Sequence, residues 1–169
     1  MLSQYYILKT FFLLIYMGID LSCGDVTISC SYGNWNEIRF AIANACLKWF
    51  INETKELDPS ERKIEMRHHY HLLELVEYLQ NKKPESIVDY LSLIENPETI
   101  DVLIFFGAIG LHKLICKSDC EGFYSPGDSL DISNMLDNVE WYLTDEFNLE
   151  NIKNIFRESA KLNENVLIS

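Results

Sequence analysis

The chain is poor in proline, poor in basic residues and free of long apolar runs, and each shortage excludes something. Only 4 prolines occur in 169 residues. Three of them (Pro59, Pro84 and Pro97) stand where helices are expected to begin. Fourteen Lys and Arg against 26 Asp and Glu give a net charge of −12, which argues against nucleic acid or an anionic membrane as the main partner. No uncharged run approaches the roughly 20 residues that a membrane-spanning helix needs, so stable membrane insertion of the mature domain is not expected. Cys-x-x-Cys is absent, and with it the zinc-ribbon and thioredoxin-type motifs. There is no Gly-x-Ser-x-Gly, no phosphate-binding loop, no Ser-His-Asp order, no internal repeat and no low-complexity segment. Nothing specific supports an enzyme, and no cofactor is expected.

What remains is a globular composition, 48% apolar and 24% charged, long enough to bury a core in one domain. The most informative stretch is Asn96 to Lys117, NPETIDVLIFFGAIGLHKLICK. Asn96 suits an N-cap, Pro97 the first helical position and Glu98 the positive end of the helix dipole. From Val102 to Leu111 no residue is charged, so a helix here has no polar face and belongs in a core. Gly107 and Gly110 lower helix propensity by about 1 kcal/mol each, which points to close packing by neighbours. The expectation is one central helix, 97–117, wrapped by amphipathic ones.

Those follow from spacing. Val26, Ile28 and Tyr32 alternate in a short extended segment. An Asn34-x-x-Glu37 box opens a helix to about Leu57, with Ile38, Ile42, Ala45, Cys46 and Trp49 as its buried stripe. Asp58-Pro59 restarts a helix buried through Ile64, Leu72, Leu75, Val76 and Leu79. A short helix over 84–95 presents Ile87, Val88, Leu91 and Ile94. After a loop over 118–127, a helix from Asp128 or Asp131 to Phe147 buries Leu130, Met135, Leu136, Val139 and Leu143. The last helix, Leu149 to Leu162, buries Ile152, Ile155 and Phe156. The fold class expected is all-α, with six to seven helices in a domain spanning 34–162, followed by a tail over 163–169.

Residues 1–24 carry three readings. Lys9, the run TFFLLIYMGI and the small residues Ser22 to Gly24 have the layout of a secretory signal. The same run also suits an apolar segment packed on the domain. A start at Met17 would present Met-Gly-Ile-Asp-Leu-Ser, a myristoylation pattern.

Candidate chemistry is thin. His68, His69 and His71 have metal-compatible spacing without a recognisable carboxylate or thiolate companion, and they read as ordinary surface histidines. Cys23, Cys30, Cys46, Cys116 and Cys120 read as reduced thiols; two disulfides follow only if the chain is secreted and cleaved beyond Cys23. Asn52-Glu53-Thr54 is a glycosylation sequon under the same condition. Trp35, Tyr70, Trp141 and Tyr142 do not all fit the core stripes, and exposed Trp and Tyr commonly anchor protein interfaces.

Three stretches, LLELVEYLQ (72–80), ESIVDYLSLI (85–94) and IDVLIFFGAIGLHKLI (100–115), together with NMLDNVEWYLTDEFNLENIKNIFRES (134–159) and more loosely LKWFINETKEL (47–57), resemble the poxvirus Bcl-2-like immunomodulators. That resemblance covers about residues 36–162. It implies a Bcl-2-like helical bundle and a virulence factor in the host cytoplasm. Such a factor binds a host innate immune signalling protein and suppresses Toll-like receptor and NF-kappa-B activation without catalysis. It also implies a partner or homodimer face on the first and last helices, represented here by Trp49, Glu53 and Phe156. The Asn-Trp-Gly-Arg signature of the cellular relatives is replaced by Phe105-Phe106-Gly107-Ala108. That tilts the reading away from the alternative, an apoptosis inhibitor that takes pro-death helices into a groove. A second alternative is a secreted glycoprotein that captures an extracellular immune ligand.

Overall fold

The computed structural model describes residues 18–55, 66–117, 122–143 and 149–169. Among these, seven α-helices and a four-stranded antiparallel sheet share one core. The strands are β1 (Gly18–Cys23), β2 (Val26–Ser31), β3 (Gly122–Tyr124) and β4 (Val166–Ile168). The helices are α1 (Tyr32–Lys55), α2 (Met66–Lys82), α3 (Ile87–Ile94), α4 (Pro97–Phe105), α5 (Ile109–Cys116), α6 (Pro126–Val139) and α7 (Leu149–Leu162). A 3-10 turn, Glu140–Tyr142, extends α6.

The sheet corrects the all-α expectation. Its order is β2-β1-β4-β3, so the C-terminal strand is inserted between segments from the start and the middle of the chain. Cys23 pairs with Val26 across Gly24-Asp25. Gly24 has φ +55 and Asp25 has no positive φ, the pattern of a type II′ turn with glycine first. Ile19, Leu21 and Cys23 of β1, Val166 and Ile168 of β4, and Tyr124 of β3 all point into the core. The expected tail over 163–169 therefore supplies two core residues, Val166 and Ile168. Its entry is set by Asn163, which ends α7 at φ +56, with the Glu164 N–H donating to the Ser159 carbonyl at 3.2 Å.

The single central helix is also corrected. Phe106 to Ala108 separate α4 from α5. Gly107 has φ +69; its N–H donates to Ile104 O at 3.1 Å and the Ala108 N–H to Leu103 O at 2.7 Å. These two bonds make a Schellman stop, whose left-handed position favours glycine. The helix begins as expected: the Asn96 side chain accepts from Glu98 N at 3.0 Å, with Pro97 in the first turn. Gly110 fulfils the other expectation, since a Cβ there would stand 2.3 Å from the Asp131 carbonyl oxygen. The absent side chain lets α5 lie directly on α6. Leu111, Leu114 and Ile115 are buried alongside it.

Elsewhere the stripes hold with local exceptions. Ile42, Ala45, Cys46, Leu72, Val76, Leu79, Ile87, Ile94, Met135, Leu136, Val139, Ile152, Ile155 and Phe156 are buried. Val88 and Leu130 are exposed instead, while Tyr90 is buried and its hydroxyl donates to Asn44 Oδ1 at 2.8 Å. The helix starts also shift. Ser31 accepts from Asn34 N at 3.2 Å, so it caps α1. Ser125 and Asp128 form a reciprocal capping box on α6. Asp58-Pro59 and Ile64 lie outside the described residues, as do residues 1–17 and Phe147.

Candidate interaction surface

Trp49, Glu53 and Phe156 are not brought together. Trp49 is half-buried near the end of α1; its ring stacks on Phe50 at 5.3 Å and its indole Nε1 donates to Glu53 Oε1 at 3.1 Å. The i, i+4 spacing places both on one helix face. Phe156 is fully buried, its ring edge-on to Tyr124 at 5.2 Å, because it lies on the inward stripe of α7. It is a core residue and not part of a surface.

The structure instead joins Asn52, which lies between Trp49 and Glu53 on α1, to a residue ninety positions away. Asn52 Nδ2 donates to the Tyr142 hydroxyl at 2.9 Å, holding the 3-10 turn against α1. Trp141, next in that turn, is 89% exposed, the most exposed of the large apolar side chains described. An indole so presented carries a large apolar area with its N–H free for a partner group, the combination found at interface anchors. Trp35, expected at the surface, is 2% exposed. It packs in the core with the Arg39 guanidinium 5.9 Å from its ring.

The turn beside Trp141 is braced by charge. Lys153, on α7, bonds Asp137 at 2.7 Å and Glu140 at 2.5 Å, and Arg157 bonds Asp137 at 2.7 Å. Burial pushes the Lys153 ammonium down, but the two carboxylates more than offset it and hold it above its ordinary value. Asp137 is held below the usual carboxylate range, burial being outweighed by Lys153 and Arg157. A second cluster joins α5 to α6: Lys113 bonds Asp128 at 3.0 Å and Asp131 at 2.6 Å. Neither cluster announces itself in sequence, since the partners are helix-surface charges of ordinary spacing.

A groove and a seam lie between the helices. A groove of about 340 Å³ runs between α2 and α4, with His71, Glu74, Tyr78, Asn96, Glu98 and Val102 among its walls. Beneath it the apolar seam between α1, α2 and α4 is nearly closed, leaving about 20 Å³ among Cys46, Phe50, Leu79, Tyr90, Ile94 and Leu103.

Of the candidate metal ligands, His71 Nδ1 lies 3.2 Å from Glu74 Oε2, while the side chains of His68, His69 and Tyr70 lie outside the described residues. No group of three metal-compatible side chains occurs among the described residues. Cys23, Cys30, Cys46 and Cys116 are free thiols; Cys120 is outside the described residues. Burial pushes the Cys46 thiol far up. Among the described residues no helix is long and apolar enough to cross a membrane. Comparison with protein-family models, with curated proteins and with solved structures finds no match for this chain.

Proposed function

We propose that this chain is a binding protein without catalytic activity, and that it works by covering a surface of a host signalling protein through Trp141, Tyr142, Trp49 and Glu53. The observation that carries this is Trp141, 89% exposed on a turn tied to α1 by Asn52–Tyr142 and to α7 by Lys153 with its two carboxylates. With the turn already braced, docking has to order only the two side-chain torsions of the indole. The sequence resemblance to poxvirus Bcl-2-like immunomodulators supplies the partner class: a protein of the Toll-like receptor or NF-kappa-B route in the host cytoplasm. The first and last helices were the expected face; the reading now rests on α1 and the 3-10 turn, since Phe156 is buried.

The test is an NF-kappa-B reporter in stimulated mammalian cells expressing the chain. Wild type should suppress the signal, and Trp141→Ala should lose most of that suppression at equal protein level and unchanged melting temperature. A reporter indifferent to wild type, or a W141A variant as potent as wild type, overturns the proposal.

The groove along α2 favours one second reading, acceptance of an amphipathic pro-death helix. Against it stand the closed seam beneath and the absence of an arginine over Phe105 to Ala108. Titration of a panel of such helices decides: micromolar binding establishes this reading, and none across the panel ends it.

A further inference from the structure

The sheet ends at β2 on one side, with no strand beyond it among the described residues. Native edge strands are commonly guarded by lysine, proline, a bulge or shortness. The other edge, β3, has three residues and carries Lys117 over Phe123 at 5.5 Å. β2 has none of these guards. It is six residues long, VTISCS, pairs without interruption from Val26 to Ser31, and contains no charge.

The backbone directions follow from the neighbouring strand. Asp20 exchanges both backbone bonds with Ser169, N to O at 2.9 Å and O from N at 3.1 Å. Its polar groups therefore face β4, and Asp20↔Ser29 is a non-hydrogen-bonded pair of the β1–β2 ladder. By the strict alternation of an antiparallel ladder, the N–H and C=O of Ser29 and of Thr27 point away from β1, out of the sheet. Val26, Ile28 and Cys30 lie half-buried on the core-facing side, and Thr27 and Ser29 are exposed on the other.

We propose that this edge pairs with β2 of a second copy of the chain, antiparallel, about a two-fold axis through Ile28. This register sets Thr27 against Ser29 of the second copy and Ser29 against Thr27, forming four backbone bonds that use the outward N–H and C=O of Thr27 and Ser29 on each strand. On the core-facing side it places Ile28 against Ile28 and Val26 against Cys30. On the outer side threonine meets serine. Apolar residues thus meet apolar ones and hydroxyls meet hydroxyls, a self-complementary pattern of the kind a two-fold interface requires. Charge selects the site as well. Two copies at −12 each repel over most of their surfaces, and an uncharged strand is where they approach at least cost.

The experiment uses the full chain. Sedimentation equilibrium should show a reversible dimer, and amide exchange should show Thr27 and Ser29 protected at high concentration but exposed at low. Ser29→Pro removes one outward N–H without touching the β1 ladder and should weaken dimerisation about tenfold or more. Thr27→Lys, which adds facing charges across the axis, is the second variant. Trp141→Ala should leave dimerisation unchanged, which separates this interface from the proposed partner face. A chain monomeric at all concentrations overturns the inference. So does a dimer in which the exchange of these two amides does not depend on concentration.

Discussion

Gly110 and Asp131 stand backbone against backbone: a Cβ on Gly110 would lie 2.3 Å from the Asp131 carbonyl oxygen and 2.7 Å from its carbonyl carbon. No side-chain rotation relieves such a clash, so Gly110→Ala must push α5 off α6. Overpacking of this kind costs about 1–3 kcal/mol or more. Gly107→Ala meets nothing within 4 Å and suffers only from φ +69, a cost of about 1–2 kcal/mol for a left-handed non-glycine residue. Urea unfolding of both variants should rank Gly110 as the more damaging. Equal losses would mean that the helices are not in contact there.

The break between α4 and α5 also separates two leucine-like positions that a single helix would have treated alike. Leu103 is 1% exposed, and Leu103→Ala should lose about 2–5 kcal/mol. Ile109 is half-buried at the start of α5, so Ile109→Ala should lose clearly less. Denaturant midpoints that put Ile109 level with Leu103 would restore the continuous helix.

Arg39 is 3% exposed, and its Nη1 donates to the Ile115 carbonyl at 3.3 Å. That carbonyl belongs to the last turn of α5, where the dipole favours a cation. Arg39→Met keeps the stem but removes the donor, at a cost of about 1–3 kcal/mol. Arg157→Met, at an ion pair open to solvent, should cost about 0–1 kcal/mol. Calorimetric melting of the two variants checks the order, and a larger loss at Arg157 would refute it.

The pH dependence follows from the two charge clusters. Asp128 is held below its ordinary value: burial raises it, but Lys113 and the Ser125 N–H and hydroxyl outweigh that. Asp137 behaves likewise. Carboxylates with depressed folded values stabilise the protein above their unfolded value of about 4, and that contribution is lost as pH falls below it. Lys113 and Lys153 are raised, so their contribution is full below about pH 10 and is lost as pH rises through their folded values. The contribution of these two clusters should therefore be flat near neutrality and fall at both ends. The half-buried His112 imidazole is held below its ordinary value, chiefly by burial, so it removes stability as pH falls through about 6.5. Asp137→Asn should flatten the acid limb, measured by urea midpoints from pH 2 to 7. An acid limb identical to wild type would show that Asp137 gains nothing on folding.

Much of the helical content was legible in the chain because helix signals are local. Asn96-Pro97-Glu98 needs only a turn of backbone to act, and the Ile152, Ile155 and Phe156 stripe needs only the helical period. The same locality explains the misses. Phe105-Phe106-Gly107-Ala108 reads as an apolar helix by hydropathy, and only the neighbours decide whether Gly107 continues it or turns left-handed. Phe156 carried two expectations, a core position from the helical stripe and a partner face from the resemblance; α7 turns the stripe toward Tyr124, so the core position is the one that holds.

The sequence by itself determined the class of element over most of its length, the acid-rich surface and the absence of any recognised catalytic motif. It also placed apolar residues at alternate positions in Val26–Ser31, enough for an extended segment but silent on its partners. Tertiary structure alone decided that this segment joins a sheet with Gly18–Cys23, Val166–Ile168 and Gly122–Tyr124, because strand pairing is a contact between residues far apart in the chain. It likewise decided which side of β2 stays open, and that Asn52 holds Tyr142 so that Trp141 faces solvent. Local propensity acts through neighbours in sequence, whereas edges and surfaces exist only once distant segments have packed.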